Sequence, residues 1–476
     1  MRRVPPELPE PLAPALGSFR ATVPVRSRLL RFARHVAALG AILAIGCQAA
    51  ARRGTIRAAA ALELRLPGSS LVVLVPGATG SMLRQPGGRV VWGRGLDLLG
   101  PRDGGYPLVR PIARAGAGAR LEAFAVIETI RLAGIVRKPV YGPLLRALEA
   151  IGYRRGELSR PRPADTLLPF AWDWRTSHAA AAARLAESLE TVRQARGVDV
   201  LPVALVCQSS GAHLCRFFAK YGGASLEDVE AGRAGPPERI AVTRLVLVGS
   251  SNGGGLRILR ELDRGRRYVP LVGRKFQPET LFTFPALYED LPAYRDDLFL
   301  DPEGRTLDVD LYDAESWITY GWSAFGEDAR RRLARLGASS RFGAEAQRLD
   351  YLRATLDRAR RLQRALRAEA QWSRAPCYHL IQGRSDPETP ERAVLASAGG
   401  AWRLLFPGDR AVDRDPLLRG LTTAVGDGHA TLASQLWLGT EEIAALAGPP
   451  VYVPGAHFEL ILSSEATAAL AAALAE

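Results

Sequence analysis

The strongest constraint on the fold is a series of short apolar runs that alternate with helical segments. The first run, Leu71–Val75, is stopped by Pro76-Gly77. Similar runs lie at 167–172, 201–207, 241–248, 377–381 and 451–453, and helical patterns occupy 141–151, 179–192 and 212–221. Continuous apolar strands are buried on both faces, which is typical of parallel sheets covered by helices. We therefore predict an α/β fold with a mostly parallel sheet.

The alternation stops between about residues 253 and 370, where an irregular aromatic stretch precedes a helix with leucines on one face. We predict that this segment is a cap inserted into a single sheet domain that covers residues 68–476. A chain of 476 residues is long enough for such a decorated domain.

Residues 1–67 form a separate tail with the features of an export signal. Four arginines between positions 26 and 34 precede an uncharged run at 36–46, which ends at Cys47. This order resembles a bacterial lipoprotein signal. Uncharged residues continue only from Val36 to Ala51, which is shorter than the roughly 20 residues that a membrane span needs. We expect a cell-envelope protein with Cys47 as the lipid attachment site; the alternative is a wrongly assigned start and a cytoplasmic protein.

Charge and cysteine content narrow the choice of partners. The 63 basic and 49 acidic residues give a net charge of +14, but the excess is scattered rather than gathered into one block. This distribution predicts contact with an anionic membrane surface at most, and no nucleic-acid partner. The four cysteines form no C-x-x-C pair and the six histidines show no metal-ligand spacing. We expect no cofactor, no metal and no disulfide framework.

Residues 207–211, Cys-Gln-Ser-Ser-Gly, lie between an apolar run and a helical pattern. A nucleophile elbow occupies this position in α/β-hydrolases: a strained turn exposes a serine, and small residues on both sides let strand and helix approach. Ser209 fits the nucleophile position, with Gly211 behind it. Ser210 fits less well, because Gln208 would then stand where a small residue is needed. The alternative is an ordinary strand-to-helix turn.

An acid and a histidine follow the elbow in the order that α/β-hydrolases use. Asp427 lies in a glycine-rich turn, and His457 lies just beyond the last apolar run. In this assignment His457 takes the proton from Ser209, and Asp427 orients the imidazole and stabilises its charged form. The rival acid is Asp386, and the rival bases are His429 and His213.

An oxyanion hole needs two backbone N–H groups, one after the nucleophile and one from an early strand-to-helix loop. Ser210 supplies the first. The turn at 76–80 supplies the second, through Ala78 or its neighbour Thr79; it lacks the Gly-Lys-Ser/Thr of a P-loop. Thr79, Trp172 and Trp174 are candidate substrate contacts, although aromatic packing under the cap also explains the two tryptophans.

Taken together, these motifs resemble the lecithin:cholesterol acyltransferase family. The resemblance covers about residues 70–465 and rests on Val-Pro-Gly-Ala-Thr-Gly-Ser at 75–81, Val-Trp-Gly at 91–93, Trp-Asp-Trp-Arg at 172–175, the elbow, Gly-Asp-Gly at 426–428 and His457. It implies an α/β-hydrolase core with a cap and lid, and it favours Asp427 over Asp386 as the acid. Cys207, Gln208 and Ser210 depart from the family's elbow, and no cysteine pair lies near Trp92.

The predicted function is that of a lipid O-acyltransferase or phospholipase-like acyl hydrolase. The resemblance implies transfer of acyl chains from phospholipid, or another acyl-ester lipid, through an acyl-serine to a sterol, another alcohol or water. Because the elbow departs from the family pattern, a sterol is the least supported of these three acyl acceptors. Two alternatives are a soluble carboxylesterase and a non-catalytic, envelope-anchored binding protein on the same fold.

Overall fold

A computed structural model describes residues 70–95, 97, 104–112, 121–132, 136–267, 275–337 and 340–475. These residues belong to one compact unit. The predicted domain boundary at 67/68 and the predicted lipid attachment site, Cys47, lie outside them. Within the described ranges, no helix is long and apolar enough to cross a membrane.

The described residues form seventeen strands and fifteen α-helices, which alternate one by one only around the centre of the sheet. The strands are β1 Leu71–Val75, β2 Ser81–Arg84, β3 Val90–Trp92, β4 Glu122–Val126, β5 Thr129–Leu132, β6 Val136–Pro139, β7 Leu167–Pro169, β8 Leu201–Gln208, β9 Ile240–Val248, β10 Phe299–Leu300, β11 Thr306–Leu307, β12 Cys377–Gly383, β13 Asp386–Pro390, β14 Ala393–Ala398, β15 Ala401–Leu405, β16 Thr423–Gly426 and β17 Val451–Val453. The helices are α1 Gly142–Ala150, α2 His178–Arg196, α3 Gly211–Tyr221, α4 Leu226–Glu230, α5 Leu256–Arg264, α6 Pro278–Leu281, α7 Pro285–Glu289, α8 Ala314–Thr319, α9 Glu327–Leu336, α10 Glu345–Arg367, α11 Arg410–Asp413, α12 Pro416–Thr422, α13 Leu432–Gln435, α14 Thr440–Ala444 and α15 Ser464–Ala475.

The central sheet has six parallel strands in the order β17-β12-β9-β8-β1-β7. Strand β1 lies between β7 and β8, and all five of its residues are buried. Such strands need apolar side chains on both faces, which is why the sequence shows continuous rather than alternating apolar runs. The predicted α/β fold with a mostly parallel sheet is confirmed.

One strand is shorter than the sequence predicts. The apolar run at 167–172 predicts a strand throughout, but β7 ends at Pro169. The Phe170 amide still donates to the Leu74 carbonyl of β1 at 2.8 Å, and the Trp172 amide then donates to Ser81 Oγ, at the start of β2, at 3.1 Å. The end of the run therefore packs against the segment that follows β1 instead of continuing as a strand.

The cap segment leaves the sheet after β9 and returns at β12, which is the next strand in the sheet. Between these strands lie α5–α10 and the short strands β10 and β11. The long helix α10 buries Leu352, Leu356 and Leu366, so the leucine face predicted from the sequence points into the protein. Because β9 and β12 are adjacent, the insertion interrupts the chain without interrupting the sheet.

Candidate active site

Ser209 stands at a sharp turn between β8 and α3. Its φ angle is +54°, a value that few non-glycine residues adopt. Its amide donates to the carbonyl of Val248 at 3.0 Å, which ties the turn to the neighbouring strand. A Cβ atom on Gly211 would lie 2.7 Å from the Pro76 carbonyl oxygen, so a side chain there would push the helix away from β1. The turn thus has the strained backbone and close packing of a nucleophile elbow.

The structure brings the three predicted catalytic residues together. Ser209 Oγ lies 2.8 Å from His457 Nε2, and His457 Nδ1 lies 2.8 Å from Asp427 Oδ2. Asp427 follows β16 and His457 follows β17. Asp427 and His457 are almost fully buried, whereas Ser209 is partly exposed. This arrangement allows the imidazole to remove the serine proton and a carboxylate to stabilise the resulting cation.

Hydrogen bonds from the backbone hold the Asp427 carboxylate in place. Its Oδ1 accepts the amides of His429 at 2.9 Å and Ala430 at 2.8 Å. Burial alone would raise the pKa of Asp427, but the adjacent His457 ring and these two amides outweigh it and lower the pKa below its ordinary value. The group is therefore a carboxylate at neutral pH, as its predicted role requires.

The rival acid, Asp386, belongs to a neighbouring turn. Strand β13 pairs with β16 so that Asp386 lies opposite Gly426, next to the predicted acid. Its Oδ1 accepts the Glu388 amide at 2.8 Å, within its own turn. His457 is bonded to Asp427 instead, so the geometry favours Asp427.

A second imidazole lies against the first. The His429 ring stacks on the His457 ring with centroids 4.4 Å apart and planes 17° apart. Burial, followed by repulsion from His457, Arg257 and Arg266, lowers the pKa of His429 well below its usual range. His429 is thus a neutral ring that packs on the predicted base. In the sequence, only its closeness to Asp427 indicates that His429 lies near the catalytic residues.

The turn after β1 lies directly beside the elbow. A Cβ atom on Gly77 would lie 2.9 Å from Ser209 Cβ, so only glycine fits there. The Gly77 amide donates to Gln208 Oε1 at 3.1 Å and to Tyr141 Oη at 2.9 Å, and the Tyr141 hydroxyl donates to Gln208 Oε1 at 2.7 Å. Gln208, one of the departures from the family pattern, therefore links this turn to the elbow.

Backbone amides near Ser209 are available for an oxyanion. The N–H groups of Ser210 and Ala78 donate to no acceptor in the part of the chain that the structure describes, and the same holds for Thr79. Thr79 has a φ of +65°, and its carbonyl accepts the Trp92 indole N–H at 2.9 Å. Ala78 and Thr79 both remain candidates for the second donor, as the sequence left them.

The two candidate substrate tryptophans are packed in the core. Trp172 and Trp174 are 2% and 4% exposed. The Trp172 indole donates to the Pro76 carbonyl at 2.8 Å, and the Trp174 indole donates to the Ser81 carbonyl at 3.2 Å. These contacts account for both residues by packing around the turn after β1. Their contact with substrate, and that of Thr79, stays a prediction.

The sequence predicts no disulfide framework, and the structure contains a disulfide at the elbow that the sequence pattern did not indicate. Cys207 and Cys215 form a disulfide with Cα atoms 6.5 Å apart, and both residues are fully buried. Cys207 lies in β8, two residues before the nucleophile, and Cys215 lies in the second turn of α3. The bond therefore joins the strand and the helix that hold Ser209. A spacing of eight residues is outside the C-x-x-C pattern from which the expectation was drawn.

Removal of this disulfide should destabilise the protein without unfolding it at room temperature. For a closed loop of this size, chain entropy predicts a loss of about 2.5 kcal/mol in the free energy of unfolding of a Cys207→Ala/Cys215→Ala variant. Urea unfolding of the variant, beside wild type with and without a reducing agent, measures the loss. A Cys377→Ala variant keeps the disulfide and is the control. Equal urea midpoints for oxidised wild type and the double variant would contradict the prediction.

Ser210 and His213, the other rival residues, belong to a separate buried cluster. Ser210 is 4% exposed, and its Oγ donates to Asp290 Oδ2 at 2.7 Å. The same oxygen lies 2.9 Å from His178 Nε2. His213 Nδ1 lies 2.8 Å from Asp290 Oδ1. Because both residues are enclosed, they are poorly placed to meet an ester, and Ser209 remains the better nucleophile.

Comparisons with known proteins define the fold but not the family. No protein-family model matches this chain, and no curated protein matches it. It is similar to a chain in the crystal structure of the Tle4–Tli4 complex, with a TM-score of 0.54 and 13% identity over 86% of this chain and 98% of that chain. The architecture is that of an α/β-hydrolase. The resemblance to the lecithin:cholesterol acyltransferase family stays a prediction.

Proposed function

We propose that the protein is a serine-dependent lipid acyl hydrolase or O-acyltransferase that works through an acyl-Ser209 intermediate. The observation that carries the proposal is the continuous chain from Ser209 Oγ through His457 to Asp427 at a strained elbow. Nucleophile, base and orienting acid are each within hydrogen-bond distance of the next, which is the arrangement that acyl transfer requires.

In the first half-reaction, His457 Nε2 takes the proton of Ser209 Oγ as this oxygen attacks the carbonyl carbon of an acyl ester. The amide of Ser210 and that of Ala78, or of its neighbour Thr79, donate to the developing oxyanion. His457 then passes its proton to the leaving alcohol, and the acyl group stays on Ser209. In the second half-reaction an alcohol or water gives its proton to His457 as its oxygen attacks the acyl carbon. The bond from this carbon to Ser209 Oγ then breaks, His457 returns the proton to Ser209 Oγ, and the new ester or fatty acid leaves.

An exposed aromatic ring beside the base supports a lipid substrate. Phe458 follows His457 directly and is 46% exposed. Its ring contacts those of His457 and His429 edge-on, at centroid distances of 5.2 and 4.8 Å, and the Arg266 guanidinium lies 5.8 Å from its centroid. An apolar ring next to a cation is suited to an amphiphile with an acyl chain and an anionic head group. Peripheral contact with an anionic membrane fits the net charge of +14.

The proposed location is the cell envelope, with attachment through Cys47. The disulfide at Cys207 and Cys215 supports this location, since such bonds persist mainly in oxidising compartments. The order of the arginines, the uncharged run and Cys47 in the sequence is the other support.

Acyl release from phospholipid vesicles tests the proposal. Anionic phosphatidylglycerol vesicles and a short, water-soluble butyrate ester are offered separately to the wild-type protein, with Ser209→Ala as background. We expect fatty-acid release from the vesicles well above this background. Addition of a long-chain alcohol separates transfer from hydrolysis, because transfer yields a new ester. Activity on the soluble ester alone would make the protein a carboxylesterase, and activity on neither would favour the binding protein.

A further inference from the structure

Five polar side chains are enclosed next to the elbow and make no side-chain hydrogen bond to Ser209 or His457 among the described residues. They form the buried cluster: His178, Ser210, His213, Glu289 and Asp290. Each is at most 4% exposed. His178 begins α2, Ser210 and His213 stand at the start of α3, and the two acids come from the end of α7 in the cap segment. The chemistry proposed above uses none of these side chains.

The outer nitrogen of each imidazole in the buried cluster faces a hydrogen-bond acceptor. His178 Nδ1 lies 2.6 Å from Glu289 Oε2, and His213 Nε2 lies 3.1 Å from the Asn252 carbonyl oxygen. A carboxylate and a carbonyl can only accept, so both outer nitrogens carry a proton. In a neutral ring the lone pair then stands on the inner nitrogen, which is Nε2 of His178 and Nδ1 of His213.

Both inner nitrogens face the same carboxylate oxygen. Asp290 Oδ1 lies 2.8 Å from His213 Nδ1 and 3.6 Å from His178 Nε2. The hydrogen-bond partner of His178 Nε2 is Ser210 Oγ at 2.9 Å, and this hydroxyl already donates its proton to Asp290 Oδ2. Hydrogen bonds alone would therefore require a proton on each inner nitrogen. Two imidazolium rings would then be enclosed without solvent. One divalent cation could replace both protons and balance the two carboxylates while the rings stay neutral.

We propose that His178 Nε2, His213 Nδ1 and Asp290 Oδ1 bind a divalent transition-metal ion of the zinc class. The three atoms lie within 4.8 Å of one another. Ligand atoms around tetrahedral zinc are roughly 3.3 Å apart when the bonds are about 2.0–2.1 Å. The two distances from Asp290 Oδ1 to the imidazole nitrogens, 2.8 and 3.6 Å, lie on either side of that value. Imidazole nitrogens with one carboxylate are a donor set that zinc accepts readily.

The partners of the outer nitrogens match those of metal-bound histidines. Such histidines usually donate their other N–H to a carboxylate or a backbone carbonyl, which fixes the tautomer and the ring orientation. Glu289 does this for His178, and the Asn252 carbonyl does it for His213. Ser210 Oγ, 2.9 Å from His178 Nε2 and 2.7 Å from Asp290 Oδ2, is the fourth donor.

The role of this ion is structural. It would connect α2 and the elbow helix α3 to the cap segment, whose ligand Asp290 is 77 residues from His213. Its ligands do not include the nucleophile or the base, and the enclosed position leaves no open coordination site for substrate. The site therefore goes beyond the proposed function and does not depend on it.

Metal analysis of the full-length protein tests the site. The chain is stripped with a chelator, exposed to Zn²⁺, desalted and analysed by inductively coupled plasma mass spectrometry. We expect one equivalent of Zn²⁺ in the wild type and in a His379→Gln control, and at least 100-fold weaker binding in His213→Gln and Asp290→Asn. Co²⁺ in place of Zn²⁺ should give visible d–d absorption in the wild type that added Zn²⁺ removes.

A wild-type chain that binds no Zn²⁺ and gives no Co²⁺ absorption overturns the proposal and leaves a proton-only hydrogen-bond network. Retention of the metal by both cluster variants overturns it as well. The wild-type Co²⁺ measurement stands even if a variant fails to fold. Labelling of Ser209 by a fluorophosphonate tests the proposed function independently. A protein that is labelled but binds no metal would contradict the metal site and leave the proposed function standing.

Discussion

A Ser209→Ala variant is expected to form no covalent adduct with a long-chain fluorophosphonate and to lose about 10⁴- to 10⁶-fold in kcat on acyl esters. Ser209 Oγ is the oxygen that lies 2.8 Å from His457 Nε2, so its removal leaves the base without a nucleophile to activate. Intact-mass spectrometry measures the adduct directly: the wild type gains one label per chain, and the variant gains none.

Ser210→Ala is the matched control, because the two serines are neighbours in sequence but belong to different hydrogen-bond networks. Ser210 contributes to the proposed oxyanion hole through its amide, which alanine retains, so this variant should still take up the label. A second serine, histidine and acid lie in hydrogen-bond contact in the buried cluster. Ser210 Oγ is 2.9 Å from His178 Nε2, and His178 Nδ1 is 2.6 Å from Glu289 Oε2. If labelling were lost in Ser210→Ala and kept in Ser209→Ala, the nucleophile would be Ser210 and not Ser209.

The sheet and the elbow could be predicted because their requirements are local. A strand buried on both faces needs apolar residues without interruption, and β1 shows this in five consecutive residues. A serine at φ +54° needs small neighbours so that strand and helix can approach, and Gly211 meets that need. Both requirements are visible within a few residues of the chain.

The choice of acid could not be made from the residues alone. Asp386 follows β12 and begins β13, Asp427 follows β16, and the pairing of β13 with β16 places the two acids side by side. The position of the His457 loop decides between them, because it delivers Nδ1 to Asp427 Oδ2. That loop is 30 residues further along the chain, so its position depends on how the last strand packs.

The disulfide and the buried cluster were missed for the same physical reason. Cys207 and Cys215 meet because one lies near the end of β8 and the other lies in α3, the helix that follows. His213 and Asp290 are 77 residues apart and meet only because the cap segment packs against α3. Motif spacings describe ligands within one turn or loop, and they contain no information on contacts between separate elements.

Replacement of Asp427 by asparagine should lower kcat by about 10⁴-fold while the protein stays folded. The Asp427 carboxylate accepts the proton on His457 Nδ1, which leaves the lone pair of Nε2 for Ser209. An asparagine can present its N–H₂ group to Nδ1 instead, which favours the tautomer with the proton on Nε2, and it removes the negative charge that stabilises imidazolium. Steady-state kinetics on a single ester, with circular dichroism to verify folding, measure the effect.

Asp386→Asn is the control for this prediction, since Asp386 lies beside the same turn but bonds to the Glu388 amide. Its kcat should stay close to that of the wild type. If Asp386→Asn loses activity and Asp427→Asn keeps it, the acid belongs to the earlier strand, as in simpler hydrolases. If both are inactive, the two carboxylates support His457 jointly, because β13 and β16 hold them as neighbours in one small sheet.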